Sequence, residues 1–161
     1  MTDNILIETV DALDQGAVPD WIGEHVRRYQ QSGGREGHLW DSSAVGGQGL
    51  VPCLLLKTVG RKSGKGYIHP LLYGVDGEGY VIVGSKGGSD THPQWYHNLV
   101  ATPEVEVQVG PDIFKARALL AEGAEHQRLW QLMTTHYPAY RDYQARTSRV
   151  IPLFRLERLP G

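Results

Sequence analysis

Cysteine is almost absent from this chain: Cys53 is the single thiol among 161 residues. One thiol excludes an internal disulfide framework and any zinc site built on cysteines. Its setting, VPCLLL, suits a small buried hydrophobe better than a nucleophile. Long apolar runs are missing too, and nothing approaches the eighteen or so residues that a membrane span requires. The N-terminal stretch MTDNILIETVDALDQG has neither a basic n-region nor a cleavable apolar core, so it does not read as a secretory signal and a reducing cytoplasm is expected. Acids are absent from Ser42 to Val75, the span that holds Lys57, Arg61, Lys62 and Lys65. The first twenty-four residues invert this, with Asp3, Glu8, Asp11, Asp14, Asp20 and Glu24 and no Lys or Arg. A formal net charge of -2 therefore conceals a chain whose charge is sorted along its length.

With 40% hydrophobic residues, the chain fits one domain with a real core, expected over 20–161 behind an acidic arm at 1–19. Val51–Thr58 and Tyr67–Gly74 are β-rich runs flanking a basic glycine turn and are expected to pair antiparallel. Asp76-Gly77-Glu78-Gly79 signals a hairpin into the strand Tyr80–Gly84. Val105, Val107 and Val109 alternate with polar residues, a strand that Gly110-Pro111-Asp112 turns into Ile113–Ala121. Pro152–Glu157 is the last strand. Helices are expected over Asp20–Gln31, Gln94–Val100 and Ala124–His136, with a further one opening at Pro138. In the first of these, Trp21 or Tyr29 is a candidate interface residue. Tight strand pairs without βαβ alternation point to an antiparallel barrel with added helices.

Gly60-Arg61-Lys62-Ser63-Gly64-Lys65 superficially looks like a phosphate loop. Its spacing is one residue short of a Walker motif, no Ser or Thr follows Lys65, and a strand rather than a helix comes next. Glycines, cations and a hydroxyl nevertheless suit an anion, against the plainer alternative of a solvated basic hairpin. Nucleic acid is a poor candidate for that anion, because four cations in a chain of pI near 6.4 give no extended phosphate track. His92 and His97 are five apart and no HExxH occurs, so no metal is expected; no GxSxG elbow supports a serine triad. Ser85-Lys86-Gly87-Gly88 follows a strand and precedes Trp95 and Tyr96, small residues against which a flat ring fits. Trp95 and Tyr96 are expected as core aromatics first and ring-stackers second. Tyr140 and Tyr143 are three apart and share a helical face, which fits either packing or a cleft wall with phenol donors.

The ordered segments GRKSG (60–64), DGEGYVIVGSKGG (76–88), HPQWYHNL (92–99), PEVEVQVG (103–110) and YPAYRDYQARTSRVIP (137–152) resemble the deazaflavin-dependent nitroreductase family. These are coenzyme F420-dependent reductases of actinobacteria, in the branch that reduces quinones and nitro compounds, and the match runs from Trp21 to Leu159. The resemblance implies a mainly β fold with added helices, a split β-barrel related to the FMN-binding kind. It implies F420, an 8-hydroxy-5-deazaflavin with a phospholactate and a polyglutamate tail, as cofactor. Arg61, Lys62, Ser63 and Lys65 would then hold phosphate and tail carboxylates, and Ser85, Lys86, Gly87 and Gly88 would lie along the deazaflavin with Trp95 and Tyr96 close by. Further cofactor-binding positions carried by the resemblance are Lys57, Thr58, Gly60, Gly64, Pro70, Leu71, Ile82, Val83, Gly84 and Asn98. Ser85, Tyr137, Tyr140 and Tyr143 would be catalytic, lining the acceptor pocket and steadying a developing oxyanion.

Two positions depart from the pattern: Tyr67 replaces a basic residue, whose place Lys65 is expected to take, and Leu72 replaces a pocket tyrosine. The expected reaction is hydride transfer from reduced F420 to a small quinone, enone or nitroaromatic acceptor. The alternatives are an FMN-dependent reductase or oxidase on the same fold, a non-catalytic F420 carrier, and a phosphate-binding regulatory module. A homodimer and peripheral membrane contact stay open.

Overall fold

The computed structural model describes residues 20–36, 38–41 and 50–160. The arm expected at 1–19 lies outside them, as does the side chain of Trp21. In chain order the elements are α1 (Asp20–Gln31), β1 (Leu39–Asp41), β2 (Leu50–Val59), β3 (Gly66–Leu72), β4 (Gly74–Asp76), β5 (Gly79–Val83), α2 (Gln94–Ala101), β6 (Glu104–Val109), β7 (Asp112–Leu120), α3 (Gly123–His136), α4 (Ala139–Ala145) and β8 (Leu153–Arg158).

All strand pairs are antiparallel, in the order β1-β2-β6-β7-β8-β5-β4, with β3 also paired to β2. The sheet curls round a core of Leu54 and Leu56 from β2, Ile82, Val105, Val107, Phe114, Ala116, Phe154 and Leu156, plugged by Trp95 and Leu99 of α2. This is the mainly β split barrel anticipated above. A second apolar layer lies where Val81, Val83 and Leu153 meet Leu129 and Met133 of α3 and Tyr140 and Tyr143 of α4.

The continuous run expected over Tyr67–Gly74 breaks at Tyr73 into β3 and β4. Tyr73 turns its ring into the core, and its carbonyl accepts the Tyr137 hydroxyl at 3.0 Å. Tyr29 is not an exposed interface residue. It is completely buried; its hydroxyl lies 2.8 Å from the Cys53 carbonyl and 3.2 Å from that of Gln108 and accepts the Gly110 N–H at 2.7 Å. A phenol buried this deeply needs such partners, because an unpaired polar group costs about 1–3 kcal/mol. The docking is close: a Cβ on Gly34, just past α1, would lie 1.9 Å from the Gly110 carbonyl carbon.

Candidate functional site

Alternation along β2 separates two kinds of side chain. Leu54 and Leu56 face the barrel core, and Thr58 continues inward to α2, where the Asn98 amide donates to its Oγ1 at 3.2 Å. Thr58 Oγ1 in turn lies 3.0 Å from Nε2 of the fully buried His69. Lys57, one residue back, turns the other way and pairs with Glu106, its neighbour on β6, at 3.2 Å. That ammonium is therefore already neutralised across the sheet, although no acid lies near it in sequence. Arg61 bends back from the tip of the β2–β3 hairpin. Its backbone N–H and Nη1 donate to Asn98 Oδ1 at 3.2 and 3.0 Å, and Nη2 donates to Gln94 Oε1 at 2.7 Å. The hairpin is thus tied to the start of α2, while Lys62 and Lys65 remain exposed and make no ion pair among the described residues.

On the chain that leads into α2, Gly84 and Ser85 leave β5 and enter a 3-10 turn at Lys86–Gly88. Ser85 is buried, and its hydroxyl makes no side-chain cap bond. Lys86 has φ +45, a conformation that L residues rarely adopt, and its ammonium donates to Thr91 Oγ1 at 3.1 Å. Gly88 has φ +82 and lies flat on α4: an added Cβ would be 2.6 Å from the Tyr143 carbonyl oxygen. Only glycine permits both that dihedral and that approach. The Ser85 loop and the tyrosine helix are therefore in direct contact.

Tyr137, Tyr140 and Tyr143 form an edge-to-face series with centroids 5.9 Å apart at each step. Tyr140 and Tyr143 share a buried face, as their spacing predicts. Tyr96 stacks on His92 at 4.1 Å, whereas Trp95 is 2% exposed and sits in the barrel core beside Phe154. The structure thus brings the Ser85–Gly88 loop against Tyr143 of α4, and Thr58 and Arg61 against Asn98 of α2. Ile82, Trp95 and Pro70 are core residues, and Val83 packs under α3 and α4.

A model of the F420H(2)-dependent quinone reductase family matches residues 21–158. The chain belongs to this family. An F420H(2)-dependent quinone reductase of Mycobacterium tuberculosis is 40% identical over 137 residues, spanning 83% of this chain and 87% of that one. A solved F420-H2 dependent reductase is 41% identical with a TM-score of 0.62, covering 66% of this chain and 94% of its own. A second solved relative, described as a domain-swapped dimer, is 36% identical with a TM-score of 0.64 over 86% of this chain and 98% of that one. Members of this quinone reductase family are oxidoreductases whose cofactor is coenzyme F420.

Within this family member, the Tyr137 and Tyr140 phenols are held neutral. Burial pushes Tyr137 up to about 12 and raises Tyr140 further, with the neighbouring tyrosines adding to the shift. They can donate hydrogen bonds throughout the working pH range but do not serve as bases. Tyr137 spends its proton on the Tyr73 carbonyl, while the Tyr140 hydroxyl makes no hydrogen bond among the described residues. His92 is pushed below the usual histidine value by burial and then by the Arg149 and His97 charges.

Arg149 was not among the expected site residues. Its guanidinium reaches the carbonyls of Gly84, Ser85 and Ser89 and the ring of His92. Those partners lie 57 to 65 residues earlier in the chain and three are main-chain atoms, so nothing local marks the residue. Gln94 was missed for a similar reason, since its partner is the arginine of a distant hairpin.

Proposed function

We propose that the chain is an F420H2-dependent quinone reductase, with Lys62, Lys65 and Ser63 of the hairpin tip as the anion site and the Ser85 loop against α4 as the reaction site. The observation that carries this reading is the contact between that loop and the tyrosine helix. It lays Gly88 of the Ser85 loop on the Tyr143 main chain, and Tyr140 lies one edge-to-face step further along the tyrosine series. The residues fit a long anionic cofactor with a flat head: two ammonium groups with no ion pair among the described residues lie on the hairpin tip, and small residues with a strained lysine lie on the loop that leads into α2. When bound, reduced F420 supplies the hydride.

The chain does the rest. Arg61 keeps the hairpin docked on Asn98 and Gln94, so the exposed lysines meet phosphate and carboxylates without having to order a free loop. Ser85 and Tyr140 donate to the acceptor oxygen as negative charge develops there, which is worth most in a site that excludes water. Tyr137 acts as apolar wall and brace, because its proton is already committed. Lys57 and Trp95 serve the sheet and the core, and their effect on the cofactor is indirect. The described strands share one sheet, which supports a single domain over 20–161. The relative described as a domain-swapped dimer makes a dimer of this chain a fitting expectation.

The test is anaerobic oxidation of F420H2 with a soluble benzoquinone, followed by deazaflavin absorbance, with FMN as the parallel cofactor. Turnover with F420H2 and none with FMNH2 is expected. Tyr140→Phe should lower kcat about tenfold or more by removing one oxyanion donor, with the F420 dissociation constant nearly unchanged. Full activity in that variant would reduce the phenol to packing, and failure of the wild type to oxidise F420H2 would remove the reading.

A further inference from the structure

Arg149 lies four residues past the end of α4, and it joins the two walls of the proposed reaction site. Its Nε donates to the Ser89 carbonyl at 2.6 Å, Nη1 to the Gly84 carbonyl at 3.1 Å and to His92 Nδ1 at 3.0 Å, and Nη2 to the Ser85 carbonyl at 2.7 Å. Three carbonyls of one short loop therefore converge on a single planar cation. A guanidinium has five N–H donors in a fixed fork and can meet this set; an ammonium is a point charge that cannot span it.

The residue is itself held from the α4 side. Gln144 Nε2 donates to the Arg149 carbonyl at 2.7 Å, the Arg149 N–H donates to Thr147 Oγ1 at 3.2 Å, and the Thr147 hydroxyl donates to Asp90 at 2.9 Å. Directly beside this clamp, Gly88 rests on the Tyr143 main chain. The position of the Ser85 loop relative to α4 is consequently fixed by a residue that belongs to neither.

We propose that Arg149 is a positioning residue for hydride transfer: its fork locks the Ser85 loop onto the tyrosine helix, so the acceptor's oxyanion donors and the cofactor's reactive face keep one geometry. This rests on the assignment of the reaction site above. The fork, rather than the charge, carries the effect. The basic hairpin is held separately, by Arg61 on Gln94 and Asn98 of α2.

The experiment compares wild type with Arg149→Lys and Arg149→Gln, using Arg117→Gln, an exposed arginine paired with Glu104 on the outer sheet, as control. In the cofactor-free protein, amide hydrogen exchange over 84–92 should accelerate about tenfold or more in both Arg149 variants while β6 and β7 keep their protection, because local opening is decoupled from global unfolding. The salt dependence of F420 binding should match wild type in both variants, because it reads the hairpin lysines rather than Arg149. Turnover should fall about 100-fold in both variants, the size expected when reacting groups shift by about 1 Å. The isotope effect with F420H2 deuterated at C5 should rise as hydride transfer becomes limiting.

Unchanged exchange over 84–92 would overturn the clamp. Exchange that accelerates across the whole sheet, with turnover falling only in step, would reduce Arg149 to a general stabiliser and overturn the proposal. Wild-type activity in the Lys variant would return the effect to charge and also overturn it. If the wild type fails to oxidise F420H2, the functional assignment fails, while the exchange measurement still decides whether Arg149 holds the loop.

Discussion

His69 sits completely buried on β3, 3.0 Å from Thr58 Oγ1 and three hydrogen bonds from the Arg61 side chain. Burial pushes its pKa from an ordinary 6.5 down to about 3, so the folded protein keeps the imidazole neutral. Between those values the unfolded chain binds the extra proton, and stability falls as pH drops from 6.5 toward 3 while being fully present above 6.5. His69→Gln should flatten this slope, removing about 2 kcal/mol of the loss between pH 7 and pH 5 in urea unfolding. An unaltered slope in that comparison would mean that the imidazole takes its proton while folded. Cys53 follows the same physics from the other side: burial raises its thiol to about 12, so it is inert, as its apolar sequence setting implied. Burial of this kind was legible for Cys53 because its neighbours are leucines. It was not for Tyr29, because a tyrosine on an amphipathic helix looks the same whether its hydroxyl meets water or the Gly110 amide.

The 3-10 turn and α4 behave as one element. Gly88→Ala adds a methyl 2.6 Å from the Tyr143 carbonyl oxygen at φ +82, whereas Gly64→Ala at φ +72 meets nothing within 4 Å. Both substitutions carry the left-handed penalty of about 1–2 kcal/mol. Gly88→Ala should exceed Gly64→Ala by a further 1–3 kcal/mol or so in chemical denaturation, since backbone must move to admit the methyl. Equal costs would mean that the loop and α4 separate freely. Strand and helix existence followed from periodicity here: β6, β7, α3 and α4 lie within a residue or two of where the pattern puts them. The break at Tyr73 did not, because a continuous apolar run cannot reveal where the hydrogen-bond ladder yields to a side-chain bond. The strand β1 was missed outright, being three residues long.

Charge is organised over the whole molecule. Asp76 on β4 takes bidentate donation from Arg128 of α3, at 2.9 and 2.8 Å, and a third bond from Arg155 of β8 at 2.9 Å, and these bonds hold its carboxyl down to about 2. Arg155 also pairs with Glu157, and Arg117 with Glu104, so the outer sheet is charge-mixed. Lys62 and Lys65 stand apart from this pairing. Their field should make F420 affinity fall roughly tenfold on raising salt from 50 to 500 mM, as screening shortens its reach. The double variant Lys62→Ala with Lys65→Ala should bind weakly and lose most of that salt dependence in a fluorescence titration. A slope as steep as wild type would move the anion site elsewhere.

Among the described residues, no helix is long and apolar enough to cross a membrane. What the sequence determined by itself is the set of elements, the basic hairpin and the ordered motifs of the family, because periodicity, turn chemistry and local charge are properties of neighbouring residues. Only the tertiary structure decided that Lys57 is neutralised by Glu106, that Arg61 is tethered to α2, and that Arg149 grips the Ser85 loop. Each of those pairs forms when the curled sheet brings together groups far apart in the chain, and a carbonyl or an amide as partner leaves no mark on residue identity.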